Sequence, residues 1–217
     1  MNNPPSSPGS SGAPIGSLAK SLLAAYVLLF VVCGIAPYGR SIWFAENLPI
    51  VLIVIAVVWV VRLQARRGTP LSATALVLMS VLPILHTIGG HYTFERVPFG
   101  FVTDLFGFER NHYDRLAHFS VGFYAFGIAE LMRTRHLVNT PWLLYLFPIF
   151  TIFTIAGVYE VFEWRYAVMA DESAGIAVLG SQGDIWDAQK DILADGLGAF
   201  VAMAMFRCCS KYRADSV

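Results

Sequence analysis

Along this 217-residue chain, apolar residues gather into six long runs separated by shorter polar stretches. The runs extend from Ser21 to about Pro37, Ile42 to Val61, Leu71 to Ile88, Asp114 to Leu131, Trp142 to Glu163 and Asp187 to Phe206. An α-helix rises ~1.5 Å per residue and bilayer hydrocarbon is ~30 Å thick, so about 20 apolar residues cross it. Each run is predicted to be one crossing, the first being a little short. The alternating segments of ~10 residues that mark a membrane β-barrel are absent. The expected fold is all-α: a polytopic six-transmembrane-helix bundle over residues 18–208, with both termini on one side. Residues 1–17 are mainly Pro, Ser, Gly and Asn and cannot bury enough surface to offset the entropy of ordering, so a disordered tail is predicted there. Residues 209–217 are read as a short polar tail. Lys20 opens the first run only after a long uncharged stretch, unlike the charged start of a signal peptide, so that run is read as a retained span.

Composition supports the membrane reading. Hydrophobic residues make up 56% of the chain and charged residues only 14%, with a mean hydropathy of +0.60; soluble domains carry ~25% charged residues. The formal net charge is zero, so no bulk attraction to nucleic acid is expected and the implied partner is the lipid bilayer. Cys33, Cys208 and Cys209 form neither a paired framework nor metal-ligand spacing. Trp43, Trp142, Trp164 and Trp186 fit interfacial anchoring.

The distribution of charge is more informative than its sum. With the amino terminus inside, the inner segments hold Lys20, Arg62, Arg66, Arg67, Arg133, Arg135, Arg207, Lys211 and Arg213, nine of the fifteen basic residues. The positive-inside rule then favours both termini in the cytoplasm. Thirteen of the fifteen acids fall on the outer side, all but Glu130 and Asp215. Solubility alone does not require that skew.

Helical geometry converges part of this acidic set. At ~100° per residue, Asp184, Asp187, Asp191 and Asp195 share one narrow stripe if the last helix begins early enough. Glu160 and Glu163 share the outer end of the fifth run, and Asp114 and His118, at i and i+4, the outer end of the fourth. His91 follows the Gly89-Gly90 break in the connector leading there. A carboxylate inside the bilayer costs at least ~2.5 kcal/mol, so it should face the bundle interior and meet a proton, a cation or water. Several residues also have ordinary explanations. Asp104, Glu109, Asp171, Glu172, Asp184 and Asp187 suit solvated helix amino termini. His86 suits a packing histidine, and Arg115, Arg165 or Lys190 could pair the buried acids.

Carboxylates with imidazoles suit divalent Zn, Mn, Fe or Mg. The metal candidates are His91, Asp114, His118, Glu160, Glu163, Asp187, Asp191 and Asp195; the catalytic candidates are Asp114, His118, Glu160, Asp187 and Asp191. A metal there could activate water against an ester or phosphate of an envelope or lipid-linked substrate. No HExxH motif and no di-iron Glu-x-x-His pair occurs. The alternatives are a proton- or cation-coupled carrier using the stripe down to Asp195, and a non-catalytic membrane partner protein. The apolar GLGAFVAMAMF after Asp195 argues against a conduit continuing along that helix.

The ordered pieces GGHYTFERVP, NHYDRLAHFSVGF, VYEVFEW and GDIWDAQKDILADGLGA resemble the YjdF-like family of bacterial inner-membrane proteins over most of the chain after the tail. That resemblance implies a fold and a location but no reaction. More distantly, Asp114-x-x-x-His118, the acid in YEVFEW and the repeated aspartates of the last helix are similar to the polar pattern of VanZ-like membrane proteins. Here Glu160-Val161-Phe162-Glu163 replaces that family's Glu-x-x-Gln, and Asp195 its asparagine.

Overall fold

The computed structural model describes residues 15–169 and 181–209. The predicted tails before residue 15 and after residue 209, and Asp171 and Glu172, lie outside the described residues. The rest is helical: α1 (Ile15–Ile35), α2 (Arg40–Arg66), α3 (Ala73–Tyr92), α4 (Gly100–Phe106), α5 (Tyr113–Val121), α6 (Tyr124–Thr134), α7 (Pro141–Met169), a short 3₁₀ turn at Ser181–Gly183, and α8 (Asp187–Cys208). Among the described residues, four helices are long and apolar enough to cross a membrane: α1, α2, α3 and α7. α1 starts ahead of the apolar run, because Gly16 to Lys20 continue its helix.

The predicted fourth span is divided into α5 and α6. Gly122 and Phe123 keep right-handed helical dihedrals, but the hydrogen bonds tighten to the i+3 pattern, Phe123 N to Ser120 O at 3.2 Å and Ala125 N to Gly122 O at 3.0 Å. This is a 3₁₀ joint within one rod. It lies at a close crossing of α5 and α8. A methyl group at Gly198 of α8 would overlap the Phe119 carbonyl oxygen and lie 3.2 Å from the Gly122 Cα. Small residues let helices approach in this way inside a membrane. α4, within the connector, leaves Phe101, Leu105 and Phe106 exposed.

At one end of the bundle the interior is dry. Ala75, Ala125, Phe126, Ala129, Ile152, Ala199, Ala202 and Phe206 are fully buried there. The acid in this region is Glu130, which accepts hydrogen bonds from Ser72 N (2.7 Å) and Ser72 Oγ (2.6 Å), while Ser72 Oγ caps Ala75 N at 3.2 Å. A carboxylate at a helix amino terminus satisfies donors that the helix leaves open. Similarly, Pro83 lacks the N–H that would bond the Met79 carbonyl, and Tyr124 Oη donates to that oxygen at 2.9 Å.

The opposite end is polar. Tyr26, Thr87 and Asn47 link α1, α3 and α2 by contacts of 3.4 and 3.0 Å. His91 Nδ1 lies 2.7 Å from the Cys33 carbonyl, tying α3 to the end of α1. Of the expected anchors, Trp142, Trp164 and Trp186 are exposed, whereas Trp43 is buried against Phe30.

Candidate functional site

The connector between α3 and α5 folds back over the polar end. Thr93 and Phe94 both take left-handed dihedrals, and Phe94 N bonds the Gly89 carbonyl at 2.7 Å. The Phe94 ring then meets His86 edge-on at 4.9 Å. Only a glycine fits at 89, since an added Cβ would lie 2.9 Å from Phe94 Cζ, with other ring atoms closer still. Asn111 clasps the connectors together: its amide donates to the carbonyls of Glu95 (3.1 Å) and Val97 (2.8 Å), and its backbone exchanges bonds with Gln182 at 2.9 and 3.0 Å. Asn111 Oδ1 also accepts from Tyr113 N at 2.9 Å, setting where α5 begins.

Beneath this cover, α5 and α8 share one polar seam. His118 Nε2 is 3.8 Å from Asp114 Oδ1 and 3.6 Å from Asp191 Oδ1, and His118 Nδ1 is 3.3 Å from Asp195 Oδ1. Asp114, His118 and Asp191 each offer a ligand atom, all within 4.8 Å of one another. Arg115 pairs with Asp187 and Asp191, and reaches Asp184 at 3.5 Å and Asp114 at 3.8 Å. Higher up, Arg110 holds Asp184 (2.8 Å) and Asp187 (3.3 Å), and Lys190 holds Asp184 at 2.7 Å. Asp184 precedes the helix, but its carboxyl still joins the stripe.

A second group faces this seam from α2, α3 and α7. Glu46 Oε2 lies 3.7 Å from His86 Nε2 and accepts from Tyr159 Oη at 3.5 Å; that hydroxyl is also 3.5 Å from His86 Nε2. The Tyr159 ring lies 6.3 Å from His118 and 6.4 Å from His86, so it stands between the two imidazoles. Glu160 is buried with Oε1 unpartnered, and His86 Nδ1 is likewise buried and unpartnered. Glu160 lies within electrostatic reach of His118, Asp191, Asp195 and Asp114, and Glu163 within reach of Glu46, His118 and Glu160.

The structure therefore brings Asp114, His118, Asp191 and Asp195 into contact, places Glu160 and Glu163 near them, and hands Asp187 to Arg110 and Arg115. His91 is turned to the Cys33 carbonyl instead. Sequence reasoning passed over Glu46 and Tyr159. Glu46 had a signal, an acid beside Asn47 just inside an apolar run; Tyr159 had none. In the connectors, the hydrogen bond from Lys190, with another from Trp186 N, holds the Asp184 carboxyl below the usual carboxylate range. Burial, followed by the cations Arg110, Arg115 and Lys190, pushes His112 down.

Long apolar helices around a buried polar seam define an integral membrane protein with an internal site. The chain belongs to the predicted membrane protein family DUF2238, whose profile matches residues 18–212. It is similar to the inner membrane protein YjdF of Escherichia coli (strain K12), 30% identical over 187 residues that cover 83% of this chain and 86% of that protein. No solved structure matches it.

Proposed function

We propose that this protein is a six-helix inner-membrane bundle that holds a divalent cation at Asp114, His118 and Asp191, in a pocket facing the periplasm, and hydrolyses an envelope or lipid-linked ester or phosphate there. The joined α5–α6 rod and α8, about 33 Å long at 22 residues, would supply the fourth and sixth crossings. The bias of Lys and Arg toward the dry end supports cytoplasmic termini.

The observation that carries this reading is the charge imbalance around His118. Glu46, Asp114, Glu160, Glu163, Asp187, Asp191 and Asp195 gather against two permanent cations, Arg110 and Arg115, while Asp184 is paired with Lys190 in the connector above them. Such an excess inside a bilayer demands protons or a bound cation. Three oxygen and nitrogen donors match the protein ligands of catalytic metal sites, which keep a further position for water. A cation bound there would polarise a water molecule. The unpartnered Glu160 oxygen would then be the candidate acceptor for a proton from that water. The packed layer of Phe126, Ile152 and Phe206 beyond Asp195 favours a closed pocket over a conduit.

Metal analysis of the purified full chain tests this. About one divalent ion per chain is expected, lost in His118→Gln and in Asp114→Asn. A metal-free wild type, after purification without chelators and dialysis against Zn²⁺ or Mn²⁺, would remove the proposal.

A further inference from the structure

α1 and α2 meet at the polar end, where Phe30 packs on Trp43 at 5.1 Å, and part toward the dry end. Between them opens a cleft of about 330 Å³, floored by Met79 and Pro83 of α3 and walled by Leu22 of α1 and Val57 of α2. Its lining is apolar apart from Ser80 and the hydroxyls of Tyr26 and Tyr124, and Lys20 and Arg62 stand on opposite walls. Both cations are exposed, and among the described residues neither has an acidic partner. From Arg62 to Val54 along α2 the slot runs about 12 Å into the bilayer at ~1.5 Å per residue.

The geometry points to a bound anionic phospholipid: one acyl chain in the cleft and its phosphate between Lys20 and Arg62. Charge selects the occupant. The positive-inside bias accounts for basic residues at this end of the bundle; their place on both walls of one apolar slot, without acidic partners among the described residues, is what suits an anionic headgroup. Basic pockets between transmembrane helices hold anionic headgroups, and each Lys or Arg near the surface adds attraction to them. Two such contacts correspond to roughly thirty-fold tighter binding than a zwitterionic lipid of the same chains. The cleft lies at the other end of the bundle from His118, so this lipid is a resident of the fold and separate from the proposed cation site.

The test titrates dioleoylphosphatidylglycerol and dioleoylphosphatidylcholine onto the delipidated full chain in detergent and follows thermal unfolding, with inorganic phosphate as a control. The expected result is a preference for the glycerol lipid of about thirty-fold in the wild type. That preference vanishes in the double variant Lys20→Gln/Arg62→Gln, whose lipid-free melting is unchanged because both side chains are exposed. Val58→Trp, in the cleft wall, weakens both lipids. Equal binding of the two lipids by the wild type would overturn the proposal, as would a preference surviving the double variant or a shift reproduced by phosphate alone.

Discussion

Gly198→Ala offers the sharpest test of how the polar seam is assembled. The added methyl would overlap the Phe119 carbonyl oxygen, and would lie 2.9 Å from that carbonyl carbon and 3.2 Å from the Gly122 Cα. Carbon atoms rest ~3.5–4.0 Å apart, so α5 and α8 must separate by about 1 Å at the crossing. His118 Nδ1 and Asp195 Oδ1, now 3.3 Å apart one turn away, would then exceed hydrogen-bond range. Overpacking costs about 1–3 kcal/mol and a lost bond to a charged group about 1.5–3, against a gain of about 1 from replacing glycine in a helix. The net loss is roughly 1.5–5 kcal/mol, a fall of about 3–20 °C in melting temperature for a chain of this size. Gly157→Ala is the control, because nothing lies within 4 Å of its added Cβ, and it should melt at or above the wild type. If the helix separation breaks the His118–Asp195 contact, then Gly198→Ala and Asp195→Asn should combine less than additively. Equal melting of the two alanine variants, or strict additivity with Asp195→Asn, would refute the reasoning.

Two further outcomes are expected from the charged layer. Arg115→Gln leaves Asp187 and Asp191 facing each other without their shared guanidinium, and should destabilise the detergent-purified protein by about 3–5 kcal/mol; Arg115→Lys should recover only part, since one ammonium cannot serve two carboxylates as a planar fork does. The connectors should respond to acid in two stages. His112 resists protonation in the folded chain, so its contribution is complete above about pH 6.5 and declines below it, and His112→Gln should flatten that first fall in melting temperature. The depressed Asp184 carboxyl contributes above about pH 3.9 and loses that contribution as pH falls through its folded value, a second fall that Asp184→Asn should remove.

Much of the architecture can be read along the chain. Runs of Leu, Ile, Val and Phe long enough to cross hydrocarbon predict membrane helices, because burying backbone polar groups in lipid leaves no other local solution. The i, i+4 spacing of Asp114 and His118, and the aspartate stripe of the last helix, follow from helical periodicity alone. The pairing across helices does not. That His118 meets Asp195 depends on Gly122 and Gly198 letting two backbones touch, and those glycines look like any others in the sequence. Glu46 enters the site from α2, and Tyr159 reaches it from the outer end of α7's apolar run, because α3 carries His86 between them. His91 shares the composition of a ligand, yet the end of α1 supplies the Cys33 carbonyl that its ring faces. Arg115 stands beside Asp114 in sequence but reaches chiefly to α8. Local sequence thus sets which segments enter the bilayer and which face of each is polar, since both depend on residues a few positions apart. Which polar faces meet is decided by close approach between segments far apart in the chain, where shape, not composition, selects the neighbour.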